Sequence, residues 1–153
     1  MRGAVRVVAS SEKLASGDRD TLAALINKHP EAPDDLELPL PPSDDLNPVP
    51  LFTEEDVEVG LAYFSLGSAA GLDGLRPMHL KDFVGLSVGP SGESLKRELT
   101  AFINMVVQGK VPRFCWDVFY GARLTALSKS DGGVRPIAVG NTLRRFAAKV
   151  ALR

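Results

Sequence analysis

Cysteine and histidine are scarce in this 153-residue chain, which has Cys115 as its single cysteine and His29 and His79 as its only histidines. One cysteine excludes an internal disulfide framework and a cysteine-rich zinc site. Long apolar runs are also missing, and no segment approaches the roughly 20 residues that a membrane span needs. Arg6 interrupts the short apolar stretch at the amino terminus, which makes that stretch a poor signal peptide. We therefore expect an intracellular protein, nuclear or cytoplasmic, with no membrane partner.

Basic residues are absent from one long stretch of the chain. No Lys or Arg occurs between Lys28 and Arg76, whereas that stretch carries eleven carboxylates. Between Lys110 and Arg153, by contrast, there are nine basic residues and two acidic ones. The formal net charge of −1 thus conceals an acidic segment and a basic region suited to a polyanionic partner. Charge alone favours a simpler alternative, in which these side chains only solvate helix faces.

Proline is concentrated in one segment, since seven of the eleven prolines lie between Pro30 and Pro50. Proline removes a backbone donor and fixes φ, so this stretch cannot hold a helix or a central strand. We expect residues 29–52 to form an extended, partly disordered linker after a short helix from Asp18 to Lys28. The predicted division is an arm, residues 1–52, and a globular region, residues 53–153.

Helical periodicity dominates the first part of the globular region. Thr53 and the three acids after it are typical of a helix start, with a hydroxyl N-cap and carboxylates near the positive end of the helix dipole. Val57, Leu61 and Phe64 recur at the spacing of a core-facing stripe. Further helices are predicted after Pro77, from about Ser94 to Gln108, after Pro112 and after a cap at Asn141 or Thr142.

The period changes to two in residues 123–139. Residues 123–129 and 134–139 read as strands, and the glycines between them allow the positive φ of a tight turn. Lys129 and Arg135 flank this turn, and two cations on a glycine-tipped hairpin can close over a phosphate chain. Basic turns are common, so this feature alone favours an ordinary surface role. The predicted fold class is α+β, mostly helical with one antiparallel β-hairpin.

Three stretches of the chain resemble, in order, a known family of polymerases. The run Leu127-Ser-Lys-Ser-Asp-Gly-Gly-Val-Arg-Pro-Ile-Ala-Val-Gly140, followed by Leu143-Arg-Arg-Phe-Ala-Ala-Lys149, resembles the fingers hairpin of reverse transcriptases of the non-LTR retrotransposon and group II intron type. Upstream, Gly67-Ser-Ala-Ala-Gly-Leu-Asp-Gly-Leu-Arg-Pro-Met-His-Leu80 resembles that group's A-x-G-x-D-G motif. Residues 104–116 resemble the passage of helix, short loop, Val-Pro and aromatic residue that separates them. The resemblance implies that residues 53–153 are a partial fingers region.

The resemblance implies roles for two sets of basic residues. Lys129 and Arg135 would contact the triphosphate of the incoming nucleotide. On the helix after the hairpin, Arg144, Arg145 and Lys149 would meet the nucleic-acid backbone, or else lie in solvent. The implied partners are therefore a dNTP and an RNA or DNA template.

A third set of residues is implied for the template strand. The A-x-G-x-D-G segment lies at the template in that family, which carries the role to Gly71, Asp73, Gly74 and Arg76. For Asp73 an alternative is as strong, namely an Asx-type turn that holds the neighbouring leucines in place.

The resemblance also implies what this chain lacks. Synthesis of DNA on an RNA template needs palm carboxylates that hold two Mg²⁺ ions, and the family supplies them from motifs downstream of the hairpin. Neither Asp117 nor Asp131 has that context. We therefore expect a truncated N-terminal fragment of an RNA-directed DNA polymerase, with no palm, catalytic residue, metal or cofactor of its own; Mg²⁺ belongs to the complete polymerase. The alternatives are a non-catalytic nucleic-acid-binding or interaction protein derived from a retroelement, and a decayed reading frame.

Overall fold

Short helices with apolar stripes make up most of the described chain. The computed structural model describes residues 13–29, 50–85 and 88–152. Strands β1 (Ala122–Ser128) and β2 (Val134–Gly140) form a two-stranded antiparallel sheet. The helices are α1 (Arg19–Lys28), α2 (Glu54–Ala62), α3 (Pro77–Phe83), α4 (Pro90–Val107), α5 (Trp116–Tyr120), which follows a 3₁₀ turn (Arg113–Cys115), and α6 (Thr142–Ala151). Within the described residues the predicted mixed α+β class, with helix as the larger part, is confirmed.

The described residues group into two compact units. The first unit comprises residues 50–124 and 138–152, and the second unit comprises residues 13–29 and 125–137. Most of the predicted proline-rich linker, residues 30–49, lies outside the described residues. The division into an arm and a globular region therefore stays a prediction. Among the described residues, no helix has both the length and the apolar character needed to cross a bilayer.

The core of the first unit forms where α2, α4 and α6 pack together. The predicted stripe of Val57, Leu61 and Phe64 is buried, as expected from its helical spacing. Close packing of α2 on α6 depends on Gly60, because a Cβ atom there would lie only 2.5 Å from Val150 Cγ2. The buried cluster consists of Val57, Leu61, Phe64, Leu80, Leu99, Ile103, Phe146, Ala147 and Val150.

Side-chain caps define where several helices begin. The Thr53 hydroxyl accepts a hydrogen bond from the Asp56 N–H at 3.3 Å, and the Asp56 carboxylate accepts one from the Thr53 N–H at 2.9 Å. This capping box confirms the predicted start of α2. Helix α4 begins at Pro90, earlier than predicted, because proline occupies its first turn after Gly89, whose φ is +64°.

Lys96 connects α4 to α2 at the edge of the core. Its ammonium lies 2.7 Å from Glu58 Oε1 and 2.9 Å from Glu93 Oε2. A third carboxylate, that of Glu54, lies 3.9 Å away. Hydrogen bonds to Glu58, and next to Glu93, raise the pKa of Lys96 above its ordinary value of 10.5.

We expect Lys96 to make folding stability sensitive to alkaline pH. Because its pKa is raised in the folded chain, its contribution is complete below pH 10.5 and is lost as the pH rises through the folded-state pKa. From neutral pH to a pH above 10.5, the free energy of unfolding should therefore fall less for Lys96→Met than for the unmodified chain. Urea unfolding at the two pH values measures this difference. Lys110→Met, at an exposed lysine, serves as the control. Equal losses in all three proteins would contradict the prediction.

In the second unit a short extended segment pairs with β1. The Ala15 N–H donates to the Ala126 carbonyl at 3.0 Å, and the Ser128 N–H donates to the Lys13 carbonyl at 2.8 Å. Asp18 caps α1 by accepting from the Thr21 N–H at 2.8 Å, which confirms the helix predicted to run to Lys28. None of the residues of α1 is buried.

Candidate nucleic-acid interface

The glycine-rich loop of residues 67–76 lies directly on the junction between β2 and α6. A Cβ atom at Gly71 would lie 2.9 Å from Asn141 Cα and 3.0 Å from the Gly140 carbonyl oxygen. Both are backbone atoms, which cannot move aside as a flexible side chain can. Only glycine therefore allows the loop backbone to approach this junction so closely.

Asp73 joins the same loop to the start of α6. Its Oδ1 accepts a hydrogen bond from the Leu75 N–H at 3.0 Å, and its Oδ2 accepts one from Asn141 Nδ2 at 3.4 Å. The Thr142 hydroxyl adds a 2.6 Å hydrogen bond to the Leu75 carbonyl. The Asx-type turn that was one alternative for Asp73 is thus present, and the same carboxylate also anchors the loop across the fold.

The other two residues predicted for the template lie on the exposed part of this loop. Gly74 is exposed and has a φ of +73°, in the left-handed region that glycine adopts without strain. Arg76 is exposed as well, and its backbone N–H donates to His79 Nδ1 at 3.4 Å in the first turn of α3. Contact with a template strand stays a prediction for both residues.

Two of the three basic residues predicted on α6 pack against the Phe64 ring, and one of them also contacts this loop. Arg145 Nη1 donates to the Ala69 carbonyl at 2.8 Å, and its guanidinium carbon lies 5.6 Å from the centroid of the buried Phe64 ring. Lys149, one helical turn further on, places Nζ 5.1 Å from the same centroid. The four-residue spacing puts both cations on one face of α6.

Lys81 adds a third cation, which sequence reasoning missed. Its Nζ donates to the Phe64 carbonyl at 2.8 Å and lies 3.4 Å from the Ala62 carbonyl. A cation is favourable there because the last carbonyls of α2 carry the negative end of the helix dipole. We call Lys81, Arg145 and Lys149 the basic cluster. Nothing local in the sequence marks Lys81, which precedes Arg145 by more than sixty residues.

Arg144 is held differently from its two neighbours. Its Nη1 donates to the Tyr120 carbonyl at 3.3 Å, at the end of α5. Its guanidinium also covers Gly140 so closely that a Cβ atom there would overlap it. Of the residues predicted to meet the nucleic-acid backbone, Arg145 therefore contacts the glycine-rich loop, Lys149 contacts the Phe64 ring, and Arg144 contacts α5.

The predicted nucleotide-binding residues lie at the tip of the hairpin, in the second unit. The Gly132 N–H donates to the Lys129 carbonyl at 3.1 Å, and the Lys129 N–H donates to the Gly133 carbonyl at 2.8 Å. Gly132 has a φ of +79°, so the turn needs the glycine that the sequence provides. Lys129 lies opposite Gly133 across the hairpin. Side chains alternate between the two faces along β2, so Arg135, two residues after Gly133, lies on the same face of the hairpin as Lys129.

Asp131 ties the turn to Lys129. Its Oδ1 accepts from the Gly133 N–H at 3.0 Å, and its Oδ2 lies 3.3 Å from Lys129 Nζ. The hydrogen bond from Gly133, followed by that from Lys129, lowers the pKa of Asp131 below its ordinary value. Asp131, which lacks the sequence context of a palm metal ligand, thus pairs with Lys129. Lys129 is one of the two residues predicted to contact phosphate.

No family model, no curated protein and no solved structure matches the chain. In the part of the chain that the structure describes, no group of three or more His, Cys, Asp or Glu side chains is placed to hold a metal ion. Mg²⁺ stays an expectation for a complete polymerase.

Proposed function

We propose that this chain provides the fingers portion of a reverse transcriptase of the non-LTR retrotransposon and group II intron type. In this proposal residues 67–76 and α6 bind a single-stranded RNA or DNA template, and the chain alone does not extend a primer. One observation carries the proposal: two motifs far apart in the sequence are joined by the contacts of Asp73 with Asn141 and of Arg145 with Ala69. These contacts support a common binding surface for residues with related predicted roles.

The basic cluster has the chemistry that a phosphate backbone requires. The guanidinium of Arg145 has five N–H donors, and its contact with the Ala69 carbonyl is made by Nη1, which leaves other donors for phosphate oxygens. Contacts with the Phe64 ring hold both Arg145 and Lys149 near the loop before any ligand arrives. Holding long side chains in place beforehand lowers the entropy cost of binding.

The hairpin supports the second part of the proposal, contact with a nucleotide triphosphate. Lys129 and Arg135 are on one face of the hairpin and both are exposed, so a triphosphate can reach them. Their contribution would be electrostatic stabilisation of phosphate charge, with arginine as a planar fork and lysine as a point charge. Template binding and triphosphate binding concern different units and can be tested separately.

The template proposal predicts salt-dependent binding that depends on the basic cluster. A fluorescently labelled single-stranded RNA should bind the full chain at low salt, with little sequence preference. Each phosphate contact on a single strand contributes about 0.7 to the slope of log K against log salt. The double variant Arg145→Gln/Lys149→Gln should therefore lower the slope by about 1.4 and weaken binding equally for different sequences. Fluorescence anisotropy across a salt series measures both quantities.

A matched variant separates the basic cluster from net charge. Lys13→Gln/Lys28→Gln removes the same number of charges from exposed lysines of the second unit. This control variant should keep most of the salt slope and most of the affinity for RNA. Equal losses in the two double variants would contradict an interface at α6, as would a full chain that fails to bind RNA at low salt. Circular dichroism of each variant checks that it remains folded.

A further inference from the structure

An open groove beside α5 is not used by the proposed template surface. Trp116, Asp117, Tyr120 and Gly121 line it, and its volume is about 670 Å³. Trp116 is 45% exposed and Tyr120 is 43% exposed, which is high for large aromatic side chains. We call it the aromatic groove, and its size is within the range of small-molecule sites.

The aromatic groove is held in shape by contacts that reach the core. The Trp116 indole N–H donates to the Val111 carbonyl at 3.0 Å, so the polar atom of the ring is satisfied within the protein. The Tyr120 ring meets the Trp116 ring edge-on, with 6.1 Å between the centroids. Tyr120 in turn packs against the buried Phe119, which packs against Phe102 of α4. These contacts make Trp116 a fixed aromatic surface that remains open to a ligand.

Two arginines add positive charge to the aromatic groove. The Arg113 guanidinium lies 5.5 Å from the centroid of the Trp116 ring, and Arg144 Nη1 donates to the Tyr120 carbonyl at 3.3 Å. Asp117 contributes a carboxylate to the lining, so these three side chains have a net positive charge. Exposed aromatic rings beside guanidinium groups are typical of surfaces that bind single-stranded nucleic acid.

We infer that the aromatic groove is a stacking site for an unpaired nucleobase of single-stranded RNA or DNA. Trp116 provides the stacking surface, and the guanidinium groups of Arg113 and Arg144, which contact Trp116 and Tyr120, would meet the adjacent phosphates. This inference rests on the proposed function for the class of ligand, but it assigns a second contact that does not involve Arg145 or Lys149. Every base has a π face, so stacking here would not select a sequence.

Trp116 is the only tryptophan of the chain, and its fluorescence therefore reports on the aromatic groove alone. The full chain is titrated with an oligouridylate and with an abasic sugar-phosphate chain of equal length and charge. Base stacking should quench Trp116 with the oligouridylate and leave it unquenched with the abasic chain. This comparison needs no variant, so it does not depend on a substituted protein remaining folded.

Substitutions then measure what the stacking contributes. Alanine substitutions at stacking residues elsewhere cost about 1–3 kcal/mol per base, which corresponds to at least a fivefold loss of affinity. Trp116→Leu should weaken oligouridylate binding by at least about fivefold and leave abasic binding unchanged, and Trp116→Phe should restore part of the loss. Tyr120→Leu should reduce the quenching, because Tyr120 packs against Trp116.

The experiments distinguish a failure of the stacking site from a failure of the proposed function. If oligouridylate binds but neither quenches Trp116 nor distinguishes Trp116→Leu, the stacking site is wrong and the template surface at α6 is unaffected. If neither chain binds at low salt, both the stacking site and the proposed function fail. If Trp116→Leu instead converts an oligomer of this chain to a monomer in sedimentation velocity without changing RNA affinity, a second copy occupies the groove and the inference is overturned.

Discussion

Replacing Phe146 with alanine should lower the free energy of unfolding by about 3–5 kcal/mol. Phe146 is 0% exposed, and its ring packs against the Phe64 ring with 6.3 Å between the two centroids. Its Cε2 lies within 3.2 Å of where a Cβ atom at Gly60 would be, so the ring fills the contact between α2 and α6. Truncation removes apolar burial and leaves a cavity that two rigid helices cannot close.

Guanidinium unfolding followed by circular dichroism measures this loss. Phe114→Ala is the matched control, because it makes the same change at a side chain that is 88% exposed, where surface substitutions usually alter stability by less than about 0.5 kcal/mol. If the two variants lost similar stability, α6 would not belong to the core. The basic cluster would then lack the support that holds Arg145 and Lys149 against the Phe64 ring.

The helices of this chain were predictable because their sequence patterns are local. The stripe of Val57, Leu61 and Phe64 needs only the period of an α-helix, and the caps at Thr53 and Asn141 need only the first turn after them. The hairpin was predictable for the same reason, since its turn residues are adjacent in the sequence. Helix α1 was predicted in the same way, yet none of its residues is buried. A local pattern predicts a helix but does not establish that one of its faces is buried.

The contacts that build the candidate interface were not predictable from local patterns. Asp73 and Asn141 are 68 residues apart, and Asp73 looked equally suited to a template contact or to an Asx-type turn. The close approach at Gly71 is set by the backbone of another element, which no feature of the loop itself reveals. Lys96 lies 38 residues from Glu58, so its pairing with acids of α2 depends on how α2 and α4 pack.

The charge pattern of the sequence was informative about the candidate interface only in part. The basic character of residues 110–153 is compatible with a surface for a polyanion, but it could not distinguish Arg145, which contacts Ala69 of the glycine-rich loop, from Arg144, which contacts Tyr120. Consecutive residues on a helix point in directions about 100° apart, and only the packing of α6 determines which direction meets the loop. The family resemblance assigned all three basic residues one role, whereas the structure gives them different neighbours.

Arg135→Ala should weaken triphosphate binding by the full chain by about tenfold or more, since hydrogen bonds to charged groups contribute about 1.5–3 kcal/mol. Arg135→Lys should restore only part of the affinity, because an ammonium cannot make the two parallel hydrogen bonds of a guanidinium. A dTTP titration followed through the amide resonances of Gly132 and Gly133 measures binding at the hairpin directly. Thymidine without phosphates is the ligand control and should leave these resonances unmoved.

The dTTP titration can also test the role of Lys129 through Asp131, because the Asp131 carboxylate would compete with a triphosphate for Lys129. Its carboxylate lies 3.3 Å from Lys129 Nζ, and solvent screens this exposed pair, so a triphosphate can replace the carboxylate. Asp131→Asn keeps an oxygen for the Gly133 N–H but removes the charge, so it should strengthen dTTP binding by up to about fivefold. Since the pKa of Asp131 is lowered, the competition persists above its ordinary value of 3.8 and fades only as the pH falls through the lowered one. Weaker binding in Asp131→Asn, or unchanged binding in Arg135→Ala, would mean that the hairpin does not hold a triphosphate between these two cations.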